Sequence, residues 1–186
     1  MASAPAKHTF TVDEYHRMGE AGILNEDDRV ELIEGEIVDM APIGDRHISA
    51  VDRLNELFSQ GLTGRVIVRV QNPVRLSDRS EPQPDIALLR RREDFYARGP
   101  AGPGETFLVV EVADSSLVYD RDFKAPLYAR AGIPEFWLID VEAGRITVFR
   151  EPGPNGYGLV TSISGDESVS PLAFPEFKLA AADVIL

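Results

Sequence analysis

The 186-residue sequence contains no cysteine, which excludes disulfide bonds and thiolate metal sites. It also lacks any apolar run near the ~18 residues that a membrane-spanning helix requires. The first eight residues are small or polar and contain no apolar signal core, so nothing in them indicates export. We therefore expect residues 1–8 to be disordered and the protein to be cytoplasmic, without a membrane partner.

Positive charge is scarce, and the net charge of −12 argues against a protein that binds a phosphate backbone. The charge is nevertheless uneven along the chain. Residues 13–39 include ten acids and only two arginines, whereas residues 65–98 include eight arginines and five acids. A local basic surface on an acidic protein is one interpretation of the second segment. A pair of ordinary solvated faces is the other, and the sequence leaves both open.

The length and composition predict one domain, residues 1–186, with a single hydrophobic core. Thr11 followed by Glu14 has the spacing of a capping box, which predicts a helix over residues 11–21. Residues 29–40 alternate apolar and acidic positions around Glu34-Gly35, which predicts a β-hairpin. A stripe of apolar residues predicts a helix over residues 46–60.

Strand-like segments dominate the rest of the chain. Strands are predicted at residues 65–70, 85–89, 107–112 and 135–140, followed by a hairpin of residues 145–150 and 158–163. A helix over residues 120–131, closed by Gly132, separates the third strand from the fourth, and residues 180–186 suit a short helix or strand. This order predicts a mixed α/β domain around one sheet, with the N-terminal helix and hairpin as an extension. Trp137 is predicted to lie in the core.

Two carboxylates occupy unusual positions. Asp85 opens an apolar strand, and Glu111 lies near the end of the most apolar strand in the chain. If these strands are neighbours, the two carboxylates converge at one end of the sheet. Converging carboxylates repel one another unless a cation lies between them. Mg²⁺ or Mn²⁺ prefers such oxygen ligands and would polarise a phosphodiester and activate water.

Lysine is rare, and Lys124 is the single lysine in the middle of the chain. The other two are Lys7 and Lys178, against sixteen arginines. A lysine ammonium is a compact charge whose pKa can be tuned, so it could orient a water or stabilise charge on a phosphate. On spacing alone, a solvated helix lysine is the alternative interpretation.

Three stretches resemble the Uma-two family of restriction endonucleases, which belongs to the PD-(D/E)xK nuclease superfamily. They are residues 81–86 (EPQPDI), 109–116 (VVEVADSS) and 120–140 (DRDFKAPLYARAGIPEFWLID). Residues 31–36 (ELIEGE) and His47 also match the N-terminal pattern of the family. The resemblance runs from about residue 9 to the C-terminus. The block over residues 124–140 is its specific part, whereas a bare Pro-Asp is not.

The resemblance implies a restriction-endonuclease-like fold with Asp85 and Glu111 as metal ligands. The superfamily motif has a lysine two residues after the glutamate, where this chain has Ala113. The resemblance implies that Lys124, on the following helix, takes that place. Because proline is tolerated only in the first turn of a helix, Pro126 predicts that this helix begins close to Asp122. Lys124 would then lie at the start of the helix and face the strand ends.

Glu31 and His47 are further candidates for the catalytic site. Glu31 could add a carboxylate from the hairpin, and its alternative is a solvated hairpin position. His47 opens a helix and could approach the same site, whereas a lone surface histidine is more often inert. No Ser-His-Asp pattern and no glycine-rich phosphate-binding loop is present.

The leading hypothesis is a Mg²⁺-dependent endonuclease that hydrolyses DNA. Asp85 and Glu111 would hold the metal, and Lys124 would position water or stabilise charge. A homodimer is expected because cutting both strands of a duplex needs two sites. One alternative is a binding or regulatory protein that keeps the scaffold with little or no turnover, and the net charge of −12 favours it. Another is a metal-dependent hydrolase of a small phosphate ester.

Overall fold

The computed structural model describes residues 7–25 and 27–185. Residues 1–6, most of the segment for which the sequence predicts disorder, lie outside this part of the chain. Within the described ranges, no helix combines the length and the apolar character that crossing a membrane requires.

A six-stranded mixed sheet forms the centre of the fold, with the strand order β3-β4-β5-β6-β7-β8. Strands β5 and β6 are parallel, and every other neighbouring pair is antiparallel. The strands are β3 (Val66–Val70), β4 (Ile86–Arg90), β5 (Thr106–Ala113), β6 (Glu135–Asp140), β7 (Arg145–Gly153) and β8 (Gly156–Ser164). The predicted mixed α/β fold is confirmed.

The predicted N-terminal extension is present. Helix α1 (Val12–Glu20) begins with the capping box that the sequence indicates, in which Thr11 and Glu14 bond each other reciprocally. Strands β1 (Val30–Ile33) and β2 (Glu36–Asp39) form the hairpin. The hairpin is attached to the rest of the domain through Glu81, whose backbone N–H donates to the Leu32 carbonyl at 2.8 Å.

Helix α2 (Asp45–Gly61) covers one face of the sheet. Its apolar stripe, including Leu54 and Phe58, packs into the main core against strand residues such as Leu88. Trp137 is fully buried in this core, as predicted, and its ring lies 6.0 Å from that of Phe58. The apolar stripe of α2 thus forms one side of the main core.

The crossover between β5 and β6 begins earlier than the sequence predicts. We expected a helix from about Asp122, but the helical path runs from α3 (Leu117–Tyr119) through a π-helical turn (Asp120–Lys124) into α4 (Ala125–Ala131). In a regular α-helix the Pro126 ring would collide with the carbonyl four residues earlier. A π-turn widens the helix at this point, so the proline follows it without ending the helix. Lys124 consequently lies within the helical segment and not at its start.

The C-terminal part also refines the predictions. Strands β7 and β8 continue to Gly153 and Gly156, so Pro152 pairs with Tyr157 where the sequence indicated a loop. Such a proline is tolerated where the strand does not need its N–H. The described tail contains both of the predicted alternatives, because strand β10 (Leu179–Ala180) pairs with β9 (Ser168–Val169) and leads into helix α5 (Ala181–Val184).

The fully buried side chain of Glu135, on β6, links the sheet to the segment that follows β9. Its Oε1 accepts from Trp137 Nε1 at 2.9 Å and from Arg150 Nε at 2.8 Å. Its Oε2 accepts from the Leu172 backbone N–H at 2.6 Å. One fully buried carboxylate therefore accepts hydrogen bonds from three donors and joins β6, β7 and the C-terminal segment.

We predict that Glu135→Ala lowers the free energy of unfolding by about 3–5 kcal/mol, because removing one member of a buried ion pair leaves the other uncompensated. Denaturant unfolding of the purified variant measures this quantity. Glu142→Ala, at an exposed position after β6, is the matched control and should leave stability nearly unchanged. Equal stability of the two variants would contradict the assigned role of Glu135.

Candidate active site

Asp85 and Glu111 meet at one end of the sheet because β4 and β5 are neighbours. Ile86 pairs with Val110 in the antiparallel register, so the residues flanking that pair, Asp85 and Glu111, also lie side by side. Both side chains line a cavity of about 260 Å³. The hairpin, the start of α2 and the crossover helix supply the other walls of this cavity.

Asp85 is held in place by groups from three directions. The Val112 backbone N–H donates to its Oδ2 at 2.8 Å, and the Gln71 amide donates to its Oδ1 at 3.3 Å. His47 Nε2 lies 3.0 Å from the same Oδ1. The structure thus brings His47 to the predicted site from the first turn of α2. The other ring nitrogen of His47 is buried and has no hydrogen-bond partner among the described residues.

Glu111 is buried, and both of its donors reach the same oxygen. Lys124 Nζ lies 3.1 Å and the Tyr128 hydroxyl 2.7 Å from Oε1. In the described part of the chain, no donor reaches Oε2. Burial raises the pKa of Glu111 well above its ordinary value. The Lys124 ammonium opposes this rise, and the neighbouring carboxylates add to it.

Lys124 is 5% exposed and lies between two carboxylates. Its Nζ is 3.0 Å from Oε1 of Glu31 and 3.1 Å from Oε1 of Glu111. Burial by itself lowers the pKa of Lys124, but the surrounding carboxylates outweigh it, and the pKa is raised. The side chain is therefore a permanently charged ammonium inside the site, which removes the solvated-helix alternative.

Glu31 is equally well buried, at 2% exposure, so it is not a solvated hairpin residue. One of its oxygens contacts Lys124, and the other accepts from the Gln83 backbone N–H at 3.1 Å. Glu31 of strand β1 and Glu111 of strand β5 therefore both contact the ammonium of Lys124, which lies on the crossover helix. All five residues singled out from the sequence line the same cavity.

Asp120 also belongs to this cavity, although the sequence reasoning did not select it. Its Oδ2 accepts from the Ser116 hydroxyl at 2.5 Å. Burial raises its pKa, and Lys124 and the Ser116 hydrogen bond oppose the rise. Asp120, Lys124 and Tyr128 are spaced by four residues, the helical spacing that places side chains on one face. That spacing is the sequence pattern that could have predicted Asp120 as a site residue. No sequence pattern indicates that Gln71 contacts Asp85.

The family model described as "Putative restriction endonuclease", Uma2, matches residues 12–182. The chain belongs to the Uma2 family. This confirms the resemblance that the sequence motifs indicate. No curated protein sequence matches the chain significantly.

Among solved structures, the Uma2-family chain is similar to one titled "Crystal structure of a putative nuclease belonging to DUF820 from Anabaena variabilis ATCC 29413 at 1.96 A resolution". The TM-score is 0.72 with 18% sequence identity, covering 94% of this chain and 97% of that one. At this identity the likeness supports a shared fold.

Ala113, the position two residues after Glu111, is buried at the end of β5. In this Uma2-family protein the ammonium beside Glu111 comes instead from the crossover helix, 13 residues along the chain. The π-helical turn that contains Lys124 is the local feature that places it there.

The cavity has a surplus of negative charge. Six acids of the described chain line it, against one lysine, one arginine and one histidine. The acids are Glu31, Asp39, Asp85, Glu111, Asp114 and Asp120. Buried carboxylates in such excess either take up protons or attract a cation. Burial is the main cause of the raised pKa values of Glu111 and Asp120, and the neighbouring carboxylates add to it.

The donor set fits a hard divalent cation. Asp85 and Glu111 offer carboxylate oxygens from adjacent strands, and Oε2 of Glu111 receives no donor from the described residues. Across those residues, no three acidic or histidine side chains are arranged to hold a metal together. Mg²⁺ is usually bound through one or two carboxylates and keeps several waters, so a pair meets its requirements.

The raised pKa of Glu111 predicts how stability depends on pH in metal-free buffer. Above the ordinary value of 4.5, the folded protein holds this proton while the unfolded chain releases it. Stability from this group is therefore lost as the pH rises from 4.5 towards the folded-state pKa. Glu111→Gln removes the titration and keeps the shape of the side chain.

We expect Glu111→Gln to melt at a higher temperature than the wild type at neutral pH in EDTA, because the variant keeps the shape of the side chain and has no buried proton to lose. The difference should shrink as the pH is lowered towards 4.5. Calorimetric melting at several pH values measures it, with the exposed Glu142→Gln as control. A difference that is constant with pH, or a destabilised variant at neutral pH, would refute the assignment.

Proposed function

We propose that this Uma2-family protein is a metal-dependent nuclease that hydrolyses DNA phosphodiester bonds, with Asp85 and Glu111 as ligands of Mg²⁺ or Mn²⁺. The observation that carries the proposal is the ammonium of Lys124, buried beside Glu111 in a cavity with surplus carboxylates. A purely structural ion pair would not need Asp85 and Asp120 in the same cavity. Membership of the family supports the same conclusion.

A bound divalent cation would polarise the phosphodiester and lower the pKa of an attacking water. The chain's own residues supply the remaining requirements. Val112 N–H, Gln71 and His47 fix the Asp85 carboxylate before any ligand arrives, so little reorganisation accompanies binding. Lys124 holds a positive charge close to the carboxylate pair, where negative charge on a phosphate would be stabilised.

Glu31 and His47 act through other residues in this proposal. Glu31 accepts from the Gln83 backbone and contacts Lys124, so it sets the position of the ammonium from the side opposite Glu111. His47 contacts Asp85 and limits its rotation. Both are therefore positioning residues. For cleavage of both strands of a duplex, two copies of the site are needed, and we propose a homodimer as the form that cuts duplex DNA.

Hydrolysis of a small phosphate ester is the second candidate. The net charge of −12 and the confined cavity of about 260 Å³ favour it, because a small ester meets less of the acidic surface than a polynucleotide does. The carboxylate pair and Lys124 would serve the same chemistry. The two candidates differ only in the substrate, and a direct comparison of substrates separates them.

We predict Mg²⁺- or Mn²⁺-dependent cleavage of plasmid DNA or single-stranded oligonucleotides by the purified protein. Asp85→Asn and Lys124→Met should each reduce the rate about 100-fold or more, since the first removes the charge of a proposed metal ligand and the second removes the ammonium that would stabilise the phosphate. Matched controls at exposed positions, Asp166→Asn and Lys178→Met, should retain the wild-type rate. Gel analysis of the products measures the rates.

Cleavage that persists unchanged in Asp85→Asn would overturn the assignment of the site. Turnover of bis(p-nitrophenyl) phosphate with no cleavage of any nucleic acid would favour the small-ester candidate. Calorimetric titration that detects no Mg²⁺ or Mn²⁺ binding at millimolar concentration would favour a binding protein that has kept the scaffold without turnover.

A further inference from the structure

The arginines of residues 65–98 are not simply dispersed in solvent. Five of the eight place their guanidinium groups within 6 Å of an aromatic ring centroid, close enough for a cation–π interaction. The distances are 4.7 Å for Arg65 on Phe174, 5.2 Å for Arg69 on Tyr96, 4.8 Å for Arg90 on Phe107, 5.8 Å for Arg91 on Phe95 and 4.3 Å for Arg92 on Tyr96. Arginine beside aromatic rings is the side-chain combination that binds unpaired nucleic acid.

The arginine–aromatic loop, residues 90–98, holds a phenylalanine in an unfavourable conformation. Phe95 and Tyr96 both have left-handed backbones, with φ of 48° and 63°, which are outliers for bulky residues. Tyr96 is buried, whereas the Phe95 side chain is 60% exposed. Strain of this kind persists only when neighbouring contacts impose it, and it is concentrated at functional sites.

Four hydrogen bonds impose this conformation. The Tyr96 hydroxyl donates to the Arg90 carbonyl at 2.7 Å, and the Tyr96 N–H donates to Asp94 Oδ1 at 3.2 Å. Arg92 bonds both oxygens of Asp94, and its Nε–Oδ1 distance is 2.9 Å. The loop is thus built as a rigid turn that leaves the Phe95 ring outside the core.

The same edge strand contacts both this loop and the candidate active site. On β3, Arg69 donates to the Phe95 carbonyl at 3.2 Å. Just beyond β3, Gln71 donates to Asp85. The loop begins at Arg90, which pairs with Val66 at the opposite end of β4 from Asp85, and the Arg69 side chain ties the loop to β3. Locally, five arginines (Arg69 and those of the loop) stand against two acids.

We propose that the arginine–aromatic loop binds a single strand of nucleic acid, which would run along the edge strand β3 towards the cavity of Asp85 and Glu111. An unpaired base would stack on Phe95, and adjacent phosphates would pair with Arg91 and the exposed Arg98. Duplex DNA keeps its base faces stacked on one another, so it cannot use the Phe95 ring. This inference rests on the proposed nuclease function, of which it names the substrate class.

Binding measured in EDTA separates this proposal from catalysis. The probe is a short fluorescein-labelled oligothymidylate, followed by fluorescence anisotropy with the full-length protein. Phe95→Ala should weaken binding about tenfold, the loss expected for one stacked base, and Phe95→Tyr should restore it. Val160→Ala, an exposed apolar residue on β8 at the far edge of the sheet, is the matched control and should bind as the wild type does.

The salt dependence of oligothymidylate affinity tests whether Arg91 contacts a phosphate. Each phosphate contact to a single strand contributes about 0.7 to the slope of log affinity against log salt concentration. Arg91→Ala should lower that slope by about 0.7, whereas Arg145→Ala, at an exposed position on β7, should leave it unchanged. A change in folding alone would not alter the slope in this way.

Unchanged oligothymidylate affinity in Phe95→Ala would overturn the proposal, even if the protein cleaves DNA. Preference of the wild type for a duplex of the same length, or no binding of either, would also overturn it. Loss of binding in Phe95→Ala with rescue by Phe95→Tyr would support it, even if no cleavage is found. The binding measurement therefore tests the role of the loop separately from the proposed nuclease activity.

Discussion

The contact on which the site depends is the buried bridge from Glu31 through the Lys124 ammonium to Glu111, at 3.0 and 3.1 Å. Its three members come from the hairpin, the crossover helix and the central sheet. A buried lysine is tolerated only when it is paired, so the hairpin and the helix must both dock correctly to satisfy it. The bridge therefore couples the assembly of three elements to the formation of the cavity.

The bridge does not neutralise the cavity. One lysine is shared by Glu31 and Glu111, while Asp85 and Asp120 face the same space. Buried carboxylates in excess favour bound protons or a cation, and burial together with the neighbouring carboxylates raises the pKa of Glu111. At the arginine–aromatic loop the balance is reversed, since arginines there outnumber acids. An acidic protein thus carries an acidic cavity and, at the arginine–aromatic loop, a local cluster of arginines.

Much of this arrangement follows from sequence patterns. Apolar strands opened or interrupted by a carboxylate, together with the family resemblance, predicted Asp85 and Glu111, and the resemblance, supported by the scarcity of lysine, predicted Lys124. The start of the crossover helix was predicted wrongly, because a π-helical turn relieves the clash that Pro126 would otherwise cause. Asp120 was missed although its spacing from Lys124 indicated it, and the Gln71 contact to Asp85 depends on tertiary packing that no local pattern encodes.

We propose that Asp85 and Glu111 form a divalent cation site. Crystals of the protein soaked in Mn²⁺ at neutral pH test it most directly, because anomalous scattering locates that ion independently of any activity. We predict an anomalous peak within coordination distance of both carboxylates. A cavity that shows no peak at millimolar Mn²⁺, or a peak that contacts neither Asp85 nor Glu111, would contradict it.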